Sequence, residues 1–135
     1  MKKFISVIFI LFSILLCGFS SNEKPYILLS SGNNAISGNT IRNERHFAAG
    51  QRIYFSLVAP KGYKKSGVRM QLSKQDDKTS NWGFSIIQSR DIYLDLSQKT
   101  YRDYLRINQS GHYILQFFYL NNKRYPFAHV EFMVH

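Results

Sequence analysis

The side chains best suited to chemistry lie toward the end of the chain, at His112, His129 and Glu131. Their spacing matters because the residues around them alternate. Tyr113, Leu115, Phe117 and Tyr119 share one face of a strand, and Ala128, Val130, Phe132 and Val134 share a face of the next. Asn121-Asn122 between them suits a two-residue turn, since Asn tolerates positive φ. Such a turn sets Tyr113 opposite Val130 and Leu115 opposite Ala128 on the inner side. On the outer side it sets His112 opposite Glu131, Ile114 opposite His129, Gln116 opposite Phe127 and Phe118 opposite Tyr125. Imidazole and carboxylate on neighbouring strands can bind zinc or share a proton. They also make a surface cross-strand pair worth roughly a few tenths of a kcal/mol. No third or fourth ligand is evident, so the surface pair is the expected role and no metal or other cofactor is expected.

Other chemistry finds little support. There is no G-x-S-x-G elbow, no H-E-x-x-H, no phosphate loop followed by Lys and Ser/Thr, and no G-x-G-x-x-G after a strand. Asp76-Asp77 lacks the further alternating acids and the Gly of a calcium loop and reads as a turn using Asx hydrogen bonds. Asn108-Gln109-Ser110 matches a glycosylation acceptor, which matters only in a eukaryotic secretory pathway. The expectation is a protein that is not an enzyme.

Charge is more informative. The 135 residues carry 18 Lys+Arg against 8 Asp+Glu, a formal charge of +10, and are 44% hydrophobic and 16% aromatic. That is enough apolar material for one core and too short a chain for a large multidomain enzyme. A lone cysteine, Cys17, allows neither an internal disulfide nor a cluster of thiolates.

The first residues read as an address. Met1-Lys2-Lys3 precedes an apolar run from Phe4 to Leu16, interrupted only by Ser6 and Ser13, which matches the n- and h-regions of a secretory signal. The run is too short to cross about 30 Å of hydrocarbon comfortably. Gly18-Phe19-Ser20 offers small residues for cleavage after Ser20, giving a signal peptide over 1–20 and one domain over 21–135. A lipoprotein signal is the rival, with cleavage before Cys17 and a small polar tether after it, although Leu16 departs from the small residue normally found there. Both readings export the folded part to the periplasm, the cell surface or the medium, with membrane association only through the lipid or the signal. Losing Lys2 and Lys3 takes the 18 basic residues to 16 against 8 acids, a charge of +8.

Beyond Ser21 no segment keeps a 3.6-residue apolar period, whereas several alternate over five to nine residues between turns. Strands are expected at Tyr26 to Leu29, Arg52 to Ala59, Val68 to Leu72, Trp82 to Gln88, Ile92 to Leu96, Tyr104 to Ile107 and in the terminal pair, with a short edge piece at Thr40 to Asn43 and a loop over Ser30 to Gly38. Seven or eight antiparallel strands without helices favour an all-β two-sheet sandwich. Leu105, Ile107 and Gly111-His112-Tyr113, with Asn108-Gln109-Ser110 between, resemble the corner before the sixth strand of immunoglobulin-like and fibronectin-type domains. There a Tyr hydroxyl bonds back to upstream backbone. Gln109 replaces the usual acid, the paired cysteines are absent and Trp82 lies late for the core Trp. The likeness therefore stays at the superfamily level.

In that fold the loop between the second and third strands and the turn between the sixth and seventh emerge at one end. Here they are Lys61-Gly62-Tyr63-Lys64-Lys65 and Asn121-Asn122-Lys123-Arg124-Tyr125, with Phe118 and Phe127 on the adjoining face. Cations beside aromatic rings can hold an anionic polymer or a protein partner. An apolar outer patch of Ile114, Phe118, Tyr125 and Phe127 also offers a surface to a second copy. The leading expectation is an exported, non-catalytic binding or assembly module whose partner is an envelope protein or an anionic envelope polymer or headgroup, not nucleic acid. A metal-dependent factor using His112, His129 and Glu131, and a purely structural envelope protein, are the alternatives.

Overall fold

The computed structural model describes residues 23–32, 36–37, 40–41, 43–76 and 83–135. The expected signal segment with Cys17, and also Asp77 and Trp82, lie outside the described residues. The strands are β1 (Tyr26–Ser30), β2 (Ile36–Ser37), β3 (Thr40–Ile41), β4 (His46–Phe47), β5 (Arg52–Val58), β6 (Gly67–Gln75), β7 (Phe84–Tyr93), β8 (Thr100–Arg106), β9 (Gly111–Tyr119) and β10 (Ala128–Val134). No helix occurs among the described residues. Eight strands form two sheets, β1-β5-β8 and β4-β10-β9-β6-β7, and β2 pairs only with β3.

Alternation explains why these segments are strands and which way they face. Ile53, Phe55 and Leu57 on β5 and Ile27 and Leu29 on β1 point inward from the smaller sheet. Val68, Met70 and Leu72 on β6, Tyr113, Leu115 and Phe117 on β9, and Val130, Phe132 and Val134 on β10 meet them from the larger one. Phe55 lies 5.8 Å from Phe117 across the interface and 6.1 Å from Tyr101 beside it, measured between ring centroids. Phe132 stacks on Tyr113 at 5.7 Å and receives the edge of Phe47 at 5.9 Å. The two sheets thus share one apolar core, as expected of a sandwich.

The sheet is mixed where an antiparallel one was expected. β4 runs parallel to β10, with Met133 beside His46 and Val134 beside Phe47. Two residues carry no periodic signal, but Phe47 is 1% exposed, and its carbonyl accepts the His135 N–H at 2.9 Å. One buried ring therefore anchors a strand too short to detect.

The terminal hairpin corrects the expected register. Its pairs are Phe132 with Tyr113, Val130 with Leu115 and Ala128 with Phe117, and on the outer side Met133 with His112, Glu131 with Ile114 and His129 with Gln116. The strands do not continue to a two-residue turn, since Pro126 has no N–H and Phe127 instead stacks on Tyr119 at 4.1 Å. The slip from the expected pairing is two residues, an even number, so every side chain keeps its face. Trp82 to Gln88 and Ile92 to Leu96, expected as two strands, are replaced by the single strand β7, which pairs with β6 across a register shift between Leu72 and Ser73. As an edge strand it accommodates the polar Ser89-Arg90-Asp91 stretch that looked like a break.

The corner before β9 forms the bond expected of it. Tyr113 Oη donates to the Gln109 carbonyl at 2.7 Å, and Lys74 lies over the Tyr113 ring while its ammonium reaches Gln109 Oε1 at 3.3 Å. Along the open side of the sandwich, Arg90 on β7 reaches Asp103 on β8 at 2.6 Å, joining the edges of the two sheets.

Replacing Phe117 or Phe132 with Ala is expected to cost about 3–5 kcal/mol, whereas Tyr113→Phe removes only one hydrogen bond and is expected to cost about 1 kcal/mol. Denaturant unfolding of the three variants measures both, and a melting point unchanged in the first two would refute the assignment of the inner face.

Candidate functional site

The loop from Ala59 to Ser66 leaves β5 at the end where β9 finishes and β10 begins, because Val68 pairs with Tyr119 on the neighbouring strand. Leu120 N–H donates to the Gly67 carbonyl at 3.1 Å and Lys64 N–H to the Tyr119 hydroxyl at 3.1 Å, so the two loops are tied together. Gly62, at φ +83, makes the turn that a side chain would strain, and its N–H bonds the Ala59 carbonyl at 2.8 Å. The chain then folds back and plants Tyr63 in the core.

This arrangement brings Lys61, Lys64, Lys65, Lys123 and Arg124 to one pole, all exposed. Tyr125 is 65% exposed there, and the Arg124 guanidinium lies 5.5 Å from its ring centre. Two aromatic residues expected on the surface are not on it. Tyr63 is 8% exposed and donates its hydroxyl to the Leu57 carbonyl at 2.6 Å. Phe118, opposite Arg69 on β6, is 7% exposed. With Ile114 and Phe127 only partly exposed as well, the expected apolar outer patch reduces largely to Tyr125.

Between the loops lies an open cleft of about 510 Å³ bordered by Lys24, Pro25, Lys61, Lys64, Tyr119 and Phe127, with Glu23 the one acid on its rim. Lys24 and Pro25 belong to a segment the sequence reading did not assign to the site. The antiparallel pairing of Tyr26 with Val58 carries them there, so that pairing was the available signal. On β7 beside this end of the sheet, Asp91 is held below the usual carboxylate range, first by its hydrogen bond to Arg69 and also by the charges of Arg69 and Lys123, against an upward push from desolvation.

The weaker chemical candidates end in a pair. His112 Nε2 lies 3.0 Å from Glu131 Oε2 across a diagonal of the ladder, and His112 Nδ1 lies 3.0 Å from Gln75 Oε1. His129 sits opposite Gln116 rather than near them, and no group of three or more His, Cys, Asp and Glu side chains able to hold a metal occurs among the described residues. Asp76 accepts a bond from Ser85 Oγ at 3.5 Å, and its N–H donates to the Gly83 carbonyl at 2.6 Å, while Asp77, the other half of the expected turn, lies outside the described residues.

No protein-family model and no curated protein matches the chain. Among solved structures it is similar to the PmoD soluble domain from Methylocystis sp., with a TM-score of 0.51 and 13% identity over 85% of this chain and 94% of that one. At such identity the likeness concerns the fold alone.

Burial pushes the Tyr63 hydroxyl up to about 12, against a smaller downward pull from the Tyr101 backbone. Because the folded state favours the neutral phenol, this contribution to stability is complete below the ordinary tyrosine value of about 10 and is lost as pH rises toward the folded-state value. Tyr63→Phe is expected to flatten the alkaline fall in stability between those limits, measured by denaturant midpoints at stepped pH, and an unchanged slope would refute it.

Proposed function

We propose that this chain is an exported, non-catalytic binding or assembly module that docks an acidic envelope partner, a protein or an anionic polymer or headgroup, at its cationic pole. One observation carries the reading: five exposed cations from two loops share one pole, and two of them, Lys61 and Lys64, border an open cleft with Lys24, where Glu23 is the one carboxylate among the described residues on the rim. Fixed charges on low-dielectric walls raise the local potential and steer an opposite charge toward the cleft. Tyr125, and the Tyr119 and Phe127 rings that stack in the cleft wall, add apolar contact. The export half rests on the signal-like first 20 residues, and nucleic acid is disfavoured by that location rather than by charge.

An immunoglobulin-like topology is the finer form of the fold proposal. The order β1-β5-β8 against β4-β10-β9-β6-β7 corresponds to A-B-E facing a G-F-C sheet with one added strand at each side. The Tyr113 bond to Gln109 supports the same reading. The metal-dependent alternative is weaker, since His112 and Glu131 have no third His, Cys, Asp or Glu beside them among the described residues.

Reversing Lys64, Lys65, Lys123 and Arg124 to Glu is expected to abolish capture of crosslinked envelope partners and to remove the salt dependence of that capture, since exposed contacts are screened over about 8–10 Å at physiological salt. Capture that persists unchanged in the variant would exclude the pole as the docking surface.

A further inference from the structure

A second cationic surface lies on the outer face of the smaller sheet, away from the pole. There the β5–β8 register sets Arg52 directly opposite Arg106, Tyr54 opposite Tyr104 and Ser56 opposite Arg102. Alternation places all six on the face turned from the core, where the three arginines and Tyr104 are exposed and Ser56 is buried. Like charges directly opposed on a ladder destabilise it, and no ion pair joins Arg52, Arg102 or Arg106 to a carboxylate among the described residues. Asp103, on the same strand as Arg102 and Arg106, is engaged by Arg90 at 2.6 Å, by the Tyr101 hydroxyl and by the Tyr104 N–H. The sheet thus holds three guanidinium groups in register with no ion-paired carboxylate among the described residues.

The rings between them are arranged for a particular kind of contact. Tyr54 and Tyr104 lie 6.0 Å apart with their planes tilted by 56°, and the Arg52 guanidinium covers Tyr104 at 4.8 Å. A shallow cleft of about 280 Å³ opens here, bordered by Arg52, Tyr54, Ser56, Arg102 and Tyr104, with the Arg90-paired Asp103 also in its lining. Successive nucleobases need flat, open aromatic platforms, and one capped ring beside a tilted one does not supply them. A pyranose ring needs only a patch of C–H against one aromatic face, with phenol hydroxyls for its own hydroxyls. Guanidinium forks at both ends of the cleft, four residues or about 13 Å apart along the strand, match carboxylates carried on nearby sugars.

We propose that this Arg–Tyr ladder is a binding site for an acidic polysaccharide, with Arg52 and Arg106 holding one uronate carboxylate, the Tyr54 ring packing the sugar beside the Arg52-covered Tyr104, and Arg102 holding a second carboxylate. The site extends away from the pole: Arg52 opens β5 about 20 Å from the loop that follows the strand's other end, whereas Arg102, opposite Ser56, stands nearer that loop.

The test uses the full mature chain with polygalacturonate oligomers as the probe, their methyl esters as the uncharged control and single-stranded DNA as the competing polyanion, at physiological salt. Arg52→Gln with Arg106→Gln is expected to weaken polygalacturonate binding at least about tenfold, the equivalent of one charge-assisted contact. It should melt no lower than the parent, because it relieves a like-charge pair, and polygalacturonate should raise the melting point of the parent only. A variant with Lys64, Lys65, Lys123 and Arg124 changed to Gln is expected to keep the affinity within about threefold at that salt, which separates this site from the pole. Equal binding of the methyl ester, unaltered affinity in the double variant, loss of affinity in the loop variant alone, or tighter binding of DNA through the same arginines would each overturn the proposal.

Discussion

The structure depends on two alternating faces closing on each other with aromatic rings interlocked between them. Phe55 is held from across the interface by Phe117 and from its own sheet by Tyr101, while Tyr113, Phe132 and Phe47 form a second group in the larger sheet. Each strand contributes every second residue to this layer, so a slip of one position would place Phe117 or Phe132 in water and a polar neighbour in the core. Only even slips are tolerated. With the interior committed in this way, recognition is left to the loop ends and the outward positions.

That constraint also governs what the sequence made legible. The inner faces of β5, β6, β9 and β10 follow from alternation, and the terminal hairpin kept those faces although its pairing moved by two residues. The register itself was hidden because the Tyr119–Phe127 stack and the missing N–H of Pro126 decide where pairing stops, and that stack is tertiary. Tyr63 misled for a related reason. It lies in a polar run, but the positive φ of Gly62 turns the chain so that the ring returns beneath Leu57, where its hydroxyl finds a carbonyl. The five cations of the pole were legible because loop order in a sandwich fixes their end, whereas Lys24 required knowledge of which strand β1 joins. β4 left no trace, its placement resting on one buried ring.

The open edges show how a small sandwich manages its unpaired backbone. β7 is a ten-residue edge strand with Ile86, Ile87 and Tyr93 exposed, a composition that invites pairing with another chain. Arg90 and Asp91 interrupt it at its middle, and both are engaged, Arg90 with Asp103 of the facing sheet and Asp91 with Arg69 of its neighbour. Desolvation pushes the Asp103 carboxyl up, yet the Tyr104 N–H, Arg90 and Tyr101 together hold it below the usual range, so the charged form that joins the two edges persists at neutral pH. Half-exposed pairs of this kind contribute little to stability. Their effect is to occupy the edge with charge and to fix how the two sheets meet along it.

The same use of acids explains why the net charge is not spread evenly. Of the eight acids, seven lie among the described residues, and most have local work: Asp91 with Arg69, Asp103 with Arg90, Glu131 with His112, Glu44 with Ser31 and Asp95 with Ser97. Carboxylates engaged in these contacts do not pair directly with the loop lysines or the β5–β8 arginines among the described residues. The excess of cations therefore gathers in two places, the pole and the outer ladder, instead of forming a uniform positive coat. A solubilising charge would be effective in any distribution, whereas two concentrated patches, each beside tyrosine rings, suit the proposed docking of a negatively charged partner.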